Sequence, residues 1–451
     1  MKIEWFRSAT VGIYSDSGTR ILCDPWITNG AFIGSWFHYP KLEGFEFKEL
    51  VSRRWDALYI SHLHADHFDR KLVAAIARNQ PDCVVVLPKF SHRWLFRAVA
   101  NCGFELNRIL EIEPNRTVSV KDFKIRIFTA DFCDPQICGA STTCLPVTPR
   151  QSAIDSLALF EADNQRLLNA NDALAVESTS KLWHLIGEVD LLLGHYGGAG
   201  PYPQTFVDLK SEEKTIEASK LAHKFVQRLV DAATKLRAKY VMPYAGQYVL
   251  AGSLSRLNPY RSVVKLEEAL KILSANSKSI AIGLNPFSQF DLTTGEIQQA
   301  WIEPTEIELR EYLNDIEREI FPYQLKAEIW DNASTFIESA LNSVGLEYTS
   351  RSDLAVKDYR ITIQTGEISK TIHFNSGAFK IIDGNYLEVP NTTSLTFDPR
   401  LLRRIITRSS GYKGFTQYHF NQAEIGSHIE WQRNGNYNPI TSLLNFMQTK
   451  I

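Results

Sequence analysis

Three histidines and one aspartate lie within six residues, at His62, His64, Asp66 and His67. The apolar run at 57–60 precedes them and predicts a buried strand. Imidazoles and carboxylates are side chains that bind divalent cations, and packing alone poorly explains a strand that ends in several of them. The spacing therefore predicts a metal site at the end of this strand.

The same four residues suit two adjacent metal positions. His62 and His64 are two residues apart, so on an extended segment both rings point to the same side. Asp66 and His67 follow where the chain must turn, and they reach a neighbouring point. Two metals about 3.5–4 Å apart can share a hydroxide and clamp a substrate oxygen. A surface turn that is histidine-rich by chance is the alternative, but the chain has only 11 histidines in 451 residues.

The pattern His-x-His-x-Asp-His after a strand resembles the metallo-β-lactamase superfamily, and 21–26 resembles its early strand and Asp-Pro turn. The similarity narrows to the metallo-β-lactamase-type portion of CMP-N-acetylneuraminic acid hydroxylase. The segments that carry this resemblance are 24–28, 31–32, 59–67, 196–203, 243–246, 425–427, 432–433 and Tyr437. The resemblance implies an αββα sandwich and a metal-dependent enzyme.

One feature of those hydroxylases is missing from the sequence. They carry an N-terminal Rieske domain, whose iron–sulfur cluster requires Cys-x-His and Cys-x-x-His segments. Neither spacing occurs among the 451 residues. We therefore expect that hydroxylation by this chain would need electrons from another protein.

A two-metal site needs further ligands, which in the superfamily follow later strands. Asp172 comes after a predicted strand at 166–170, where the resemblance implies a bridging aspartate; capping of a helix is the alternative. No histidine follows the predicted strand at 124–129, so Asp131 is the expected substitute, with a turn-forming role as the alternative. His195 could complete the site, contact substrate or be structural.

The expected ligand set decides which ions suit the site. Carboxylates in place of imidazoles shift the preference away from zinc and toward harder ions such as iron or manganese. The sequence therefore predicts one or two divalent metals, zinc or iron, with manganese also compatible.

Four residues are predicted to contact the substrate. Gly197 and Gly198 form a small-residue loop whose N–H groups could bind a phosphate or carboxylate, although a tight turn would use the same residues. Tyr244 stands where the superfamily's last histidine would follow a strand. His38 lies beside aromatic residues on a loop expected near the mouth of the site, where these rings could instead form a small core.

Composition excludes several classes of protein. A net charge of −2 and a pI of about 6.6 give no electrostatic basis for binding nucleic acid. No apolar run reaches the roughly 18 residues of a membrane span, and the N-terminus lacks the apolar region of a signal peptide. Six cysteines in 451 residues are no disulfide framework, which favours the cytoplasm. Cys133, Cys138 and Cys144 are expected to be free rather than a separate metal site.

Alternating short strands and helices predict an α/β fold, with the αββα catalytic domain over 1–303. The pattern changes after Pro304, where helices at 306–320 and 327–344 precede several strands. We expect a C-terminal α+β domain over 304–451, whose element order resembles a sterol-carrier-like domain. A module that caps the catalytic domain, a lipid-binding module and a dimerising module are all compatible.

The leading hypothesis is a metal-dependent hydrolase of a small anionic substrate, in which Asp66 holds or deprotonates a metal-activated water. The resemblance alone suggests a nucleotide or nucleotide sugar. The second hypothesis is an iron-dependent oxygenase that acts on such a metabolite with a separate electron donor. The third is a non-catalytic binding module that kept the fold. No nucleic-acid partner is expected, and a homo-oligomer is compatible with the sequence.

Overall fold

Short strands alternate with helices along the chain. The computed structural model describes residues 1–90, 93–129, 146–148, 151–152, 155–174, 185–325, 330–350, 356–408, 418–436 and 438–447. The strands are β1 (Lys2–Arg7), β2 (Thr10–Tyr14), β3 (Arg20–Cys23), β4 (Trp36–His38), β5 (Ala57–Tyr59), β6 (Val84–Pro88), β7 (Ile109–Ile112), β8 (Thr117–Val120), β9 (Phe123–Thr129), β10 (Pro146–Thr148), β11 (Gln151–Ser152), β12 (Ser156–Ala162), β13 (Gln165–Asn169), β14 (Leu191–His195), β15 (Tyr240–Tyr244), β16 (Tyr248–Leu250), β17 (Ile280–Ala281), β18 (Ser288–Asp291), β19 (Tyr359–Thr365), β20 (Ile368–Asn375), β21 (Ala378–Asp383), β22 (Thr392–Thr396) and β23 (Glu430–Asn434). The α-helices are α1 (Ala31–Gly34), α2 (Glu46–Ser52), α3 (Arg70–Asn79), α4 (Trp94–Ala100), α5 (Ser211–Lys235), α6 (Leu266–Asn276), α7 (Glu306–Ile316), α8 (Ala333–Thr349), α9 (Pro399–Arg408) and α10 (Phe420–Ile425). Short 3-10 segments are Leu106–Arg108, Asn171–Ala173, Gly252–Tyr260 and Pro439–Phe446.

Two seven-stranded sheets each combine antiparallel and parallel strands. The first has the order β18-β1-β2-β3-β5-β6-β7, and β3, β5, β6 and β7 are parallel. The second has the order β17-β15-β14-β13-β12-β9-β8, and β13, β14, β15 and β17 are parallel. Parallel neighbours place their carboxyl ends at the same sheet edge. The residues after β3 and β5, and those after β13, β14 and β15, are therefore grouped at such edges.

Side-chain alternation along the strands builds the layers. In β5, Ala57 and Tyr59 enter the core between the two sheets, whereas Leu58 and the following Ile60 pack on the outer face. Helices α2, α3 and α4 cover that outer face of the first sheet. Helices α5 and α6 cover the second sheet. The predicted αββα sandwich is confirmed.

The last part of the chain forms a five-stranded sheet, ordered β21-β20-β19-β22-β23, with α8 packed against β20 and β21. Its hydrophobic core is continuous with residues of the first part, including Phe32, Trp36 and Phe206. Phe206 stacks on Trp431 at 5.6 Å between ring centroids, and the Val207 N–H donates to Trp431 O at 2.8 Å. The two parts thus share one core, and the division at 303/304 stays a prediction.

Some element boundaries differ from those expected. Helix α7 ends at Ile316 rather than at 320, because 317–320 is wholly exposed and has no apolar face to bury. Helix α8 lies at Ala333–Thr349 rather than at 327–344. The helix that Asp172 could cap falls mostly outside the described residues. Among the described helices, none is long and apolar enough to cross a membrane.

Candidate metal centre

The histidine-rich turn after β5 is fixed through its backbone. The Ser61 N–H donates to Asp24 Oδ1 at 2.7 Å, and Ser156 Oγ–H donates to Ser61 O at 2.8 Å. Beyond the turn, Asp69 caps α3 by accepting two backbone N–H groups at 2.9 and 3.2 Å. These bonds tie the turn to both sheets and to the next helix, so its side chains project from a rigid frame.

Three non-glycine residues at these strand ends have a left-handed backbone. Asp24 follows β3 with φ 44°, Asn171 follows β13 with φ 48°, and Ala245 follows β15 with φ 55°. Such conformations cost free energy for residues with a side chain, and they concentrate where function requires a particular geometry. Their position around the turn marks this sheet edge as the candidate site.

Two imidazoles and one carboxylate form the first possible metal position. His62 Nε2 lies 2.9 Å from His64 Nδ1 and 3.8 Å from Asp155 Oδ1. One ligand atom of each of these residues falls within 4.8 Å of the others. All three residues are buried, at 0, 5 and 9% exposure.

A second group shares His62 with the first. His62 Nε2 lies 3.8 Å from Asp172 Oδ2, and His67 Nε2 lies 3.5 Å from Asp172 Oδ1. Asp66 Oδ2 is 3.6 Å from the same His67 nitrogen. The Asp172 side chain is 29% exposed, so solvent reaches the centre from its side. Two candidate positions therefore lie side by side, and binding of a metal at each stays a prediction.

Each of the four histidines around the centre contacts a neighbouring protein group through one of its two ring nitrogens. Such outer contacts orient a ligand ring and fix which nitrogen carries the proton. The four contacts are His62 Nδ1 with Ser61 Oγ at 2.9 Å, His64 Nε2 with Asn421 Oδ1 at 2.9 Å, His67 Nδ1 with Asp24 Oδ2 at 3.2 Å, and His195 Nδ1 with Asn171 O at 2.8 Å.

Burial and close charges shift the ionisation of the cluster. Burial lowers the pKa of His62 well below its ordinary value, and lowers the pKa of His64 to about 4. Burial also raises the pKa of Asp66 to about 7, against the opposing effect of His67. Burial opposes a charge on His67, but Asp66 and Asp172 raise its pKa well above the ordinary value. His62 and His64 are therefore neutral near pH 7 and can act as ligands.

The residues present fit a divalent cation. His67 Nε2 and Asp66 Oδ1 are buried without a hydrogen-bond partner, which is costly for polar atoms unless something else satisfies them. Asp172 is next to His67, and although burial opposes it, the charge of His67 holds the pKa of this carboxyl far below its usual range. A metal ion would replace the proton on His67 and supply partners for both orphaned atoms.

The structure brings together most of the ligands expected from the sequence. His62, His64, Asp66, His67 and Asp172 converge as described above, and metal coordination by each stays a prediction. Burial lowers the pKa of His195, against the opposing effect of the Asp172 charge. His195 belongs to neither compact group. Asp131 lies outside the described residues, as do Cys133, Cys138 and Cys144. Cys23, Cys83 and Cys102 are free and buried.

The residues expected to bind substrate have other contacts. A Cβ on Gly197 would approach Val263 to 2.8 Å, and one on Gly198 would approach Phe225 to 2.6 Å, so close packing accounts for both glycines. The Gly198 N–H already donates to Ser262 O at 2.8 Å. A role for these glycines in substrate binding stays a prediction.

Tyr244 and His38 are both buried, at 0 and 1% exposure. The Tyr244 hydroxyl lies within hydrogen-bond distance of Asn169 Oδ1 and, at 2.8 Å, of Asn171 Oδ1, so it helps hold the loop that carries Asp172. The His38 ring stacks on Trp26 at 3.8 Å between centroids. Contact of either residue with substrate stays a prediction.

Sequence reasoning missed Asp155, Asn421 and the anchoring role of Asp24. Asp155 immediately precedes β12, which is antiparallel to β13. The start of β12 therefore lies at the same edge as the end of β13, and this signal could have identified Asp155. Asn421 is 357 residues from His64, and no local pattern connects them.

Comparison with known proteins agrees with this architecture. The family model described as a beta-lactamase superfamily domain matches residues 2–245. A Mycobacterium tuberculosis protein that carries the name Rieske 2Fe-2S iron-sulfur protein is 32% identical over 240 residues, which cover 53% of this chain and 42% of that protein. The cytidine monophosphate-N-acetylneuraminic acid hydroxylase of Danio rerio is 24% identical over 332 residues, 69% of this chain and 51% of that enzyme. The chain thus spans about half the length of the curated relatives it matches.

Two solved structures are similar to part of the chain. CmlA, a diiron beta-hydroxylase from Streptomyces venezuelae, matches with a TM-score of 0.41 and 17% identity over 64% of this chain and 53% of that one. The metallo-beta-lactamase fold protein YhfI from Bacillus subtilis matches with a TM-score of 0.37 and 9% identity over 64% of this chain and 99% of that one.

Proposed function

The chain belongs to the beta-lactamase superfamily, whose domain covers residues 2–245, and from this premise we propose that it is an iron-dependent oxygenase. The proposed reaction is hydroxylation of a small anionic metabolite. The electrons would come from a donor outside these 451 residues, which contain no Rieske cluster motif.

One observation carries this proposal: His62, His64 and Asp155 form a group of two histidines and one carboxylate. Two histidines and a carboxylate with open positions are typical of non-haem iron oxygenases. The second group adds Asp172 and shares His62, which makes the whole set richer in carboxylates than a zinc hydrolase requires.

Different residues would hold each iron ion of such a centre. His62, His64 and Asp155 would hold one iron, and His67, Asp172 and Asp66 would hold the other. Bound iron would supply the activation of dioxygen, with two external electrons and two protons reducing the second oxygen atom to water. Asp66 Oδ2 lies 3.6 Å from His67 Nε2, and as a carboxylate it would add negative charge beside the second iron position.

The substrate class rests on the relatives. The Danio rerio enzyme is named as a hydroxylase of cytidine monophosphate-N-acetylneuraminic acid, and it aligns with 69% of this chain. We propose a nucleotide sugar or a similar anionic metabolite. The partly exposed Asp172 side marks the direction from which such a substrate would approach.

A metal-dependent hydrolase is the second candidate. It is favoured by the sharing of His62 between two groups, since adjacent metals can bridge and activate a water molecule. In that reaction Asp66 would hold or deprotonate the attacking water. Zinc would suit this chemistry, and the same residues would bind it.

Metal identity separates the two candidates. Protein purified without chelator or affinity metal is analysed for elements and for visible absorption. Iron at one or two ions per chain with an absorption band supports the oxygenase, and zinc alone would contradict it. Incubation of the iron form with cytidine monophosphate-N-acetylneuraminic acid, a reductant and ¹⁸O₂ then tests for label in the product. Label taken from H₂¹⁸O instead would support hydrolysis, and His62→Ala serves as the inactive control.

A further inference from the structure

The amide side chain of Asn421, in the last part of the chain, contacts the candidate metal centre. Asn421 lies in α10, is fully buried, and its Oδ1 accepts a hydrogen bond from the Nε2–H of His64 at 2.9 Å. This bond holds the His64 ring at Nε2. The other ring nitrogen, Nδ1, lies 2.9 Å from His62 Nε2.

We infer that Asn421 is a positioning residue for the metal centre, which it serves by fixing the proton of His64 on Nε2. A neutral imidazole carries one proton, so a proton held on Nε2 leaves the Nδ1 lone pair for a metal. The amide oxygen of Asn421 also fixes the plane of the ring. This inference rests on the metal centre proposed above and extends it to a residue outside the superfamily domain at 2–245.

The position of Asn421 is itself built by surrounding contacts. The Asn421 N–H donates to His419 Nδ1 at 3.3 Å, and His419 also makes a hydrogen bond to the backbone of Asn445. Burial lowers the pKa of His419 to about 4, so the ring is neutral near pH 7 and its Nδ1 can accept. A chain of hydrogen bonds therefore links His64, through α10, to the 3-10 segment Pro439–Phe446.

The segment that follows α10 is locked against the first part of the chain. A Cβ on Gly426 would lie 2.7 Å from Phe32 O and 2.9 Å from Ser35 Oγ, so only glycine permits this approach. His428 Nε2–H donates to Phe32 O at 2.9 Å. Phe32 in turn lies 6.0 Å from His64 between ring centroids. The geometry makes the C-terminal part a component of the metal centre.

Removal of the amide oxygen tests the inference in the full-length protein. Co²⁺ is the probe, and its affinity, stoichiometry and visible absorption are measured by chelator competition and spectroscopy. Asn421→Leu keeps a similar volume but offers no acceptor, and we expect about 10–100-fold weaker binding at one Co²⁺ position with an altered absorption band. Asn421→Asp restores an acceptor and is expected to bind Co²⁺ at least as tightly as the wild type. Gln422→Leu, also in α10 and 4% exposed, is the matched control that should leave Co²⁺ binding unchanged.

The outcomes separate this inference from the proposed function. Wild-type protein that binds no Co²⁺ would overturn the metal centre and the inference together. Wild-type binding with equal affinity in Asn421→Leu would overturn the inference alone, as would an equal loss of affinity in Gln422→Leu. If the leucine variant does not fold, Asn421→Ser removes the amide without adding apolar volume, and the same loss is expected.

Discussion

The turn at His62–His67 and the segment from His419 to His428 meet at His64, where Asn421 contacts the ring, and the two are built from similar residue types in different ways. The turn concentrates atoms that lack hydrogen-bond partners, such as Asp66 Oδ1 and His67 Nε2. The histidines of the later segment instead have protein partners: His428 donates to Phe32 O, and His419 Nδ1 accepts from the Asn421 N–H. Histidine density alone therefore does not mark a metal site; the difference is whether the protein already satisfies the rings.

Among the variants considered, His62→Ala should have the largest effect on metal binding by the turn. His62 belongs to the first group, and its Nε2 also lies 3.8 Å from Asp172 in the second, so we expect His62→Ala to weaken binding of one metal by more than about 100-fold and of the other to a lesser extent. Elemental analysis and Co²⁺ titration measure the loss. His223→Ala is the control, since His223 is 52% exposed on α5 and belongs to neither group. Retention of two ions by His62→Ala would contradict the assignment.

Asp155→Asn sharpens the assignment of the first position. This variant keeps the shape of the side chain but removes its charge, so we expect about 10–100-fold weaker binding of one ion and little change for the second. Titration with Co²⁺ resolves the two steps. Asp172→Asn should show the converse pattern, and equal effects of both variants on both ions would contradict two separate positions.

Gly426→Ala tests the locking of the later segment. The added methyl group would press on backbone and on Phe32 O at 2.7 Å, so we expect a loss of about 1–3 kcal/mol in the free energy of unfolding. Urea unfolding measures the change. Gly200→Ala is the matched control, because a Cβ there meets nothing within 4 Å. Equal stability of the two variants would show that the segment is not held tightly.

The free energy of unfolding should depend on pH in a way that reflects the burial of His428 in the later segment. Burial lowers the pKa of His428 from 6.5 to about 4, so the unfolded chain binds the proton more readily than the folded chain. Stability is therefore full above about pH 6.5 and falls as the pH drops toward 4, by about 2 kcal/mol at pH 5. His428→Asn should show a smaller loss of stability between pH 7 and pH 5 in urea unfolding. An unchanged pH dependence would contradict a buried, neutral His428.

The sequence by itself predicted the αββα fold, through its resemblance to the superfamily, and the ligand-rich turn of the candidate site. Strand periodicity and the spacing of His62, His64, Asp66 and His67 are local properties, since neighbouring residues on one turn share a direction whatever surrounds them. Asp172 was also predicted, through the resemblance, which implies an aspartate after this strand; the parallel pairing of β13 with β14 explains why the strand end lies at that edge.

Only the tertiary structure decided the rest of the centre. Asp155 enters because β12 runs antiparallel to β13, a pairing that the residue pattern leaves open. Asn421 reaches His64 across 357 residues because the last sheet shares its hydrophobic core with the first part of the chain. Such contacts depend on how separate elements pack, and apolar burial, which drives that packing, is not directional. The spacing therefore specified the ligand-rich turn, and packing selected the residues that complete and orient it.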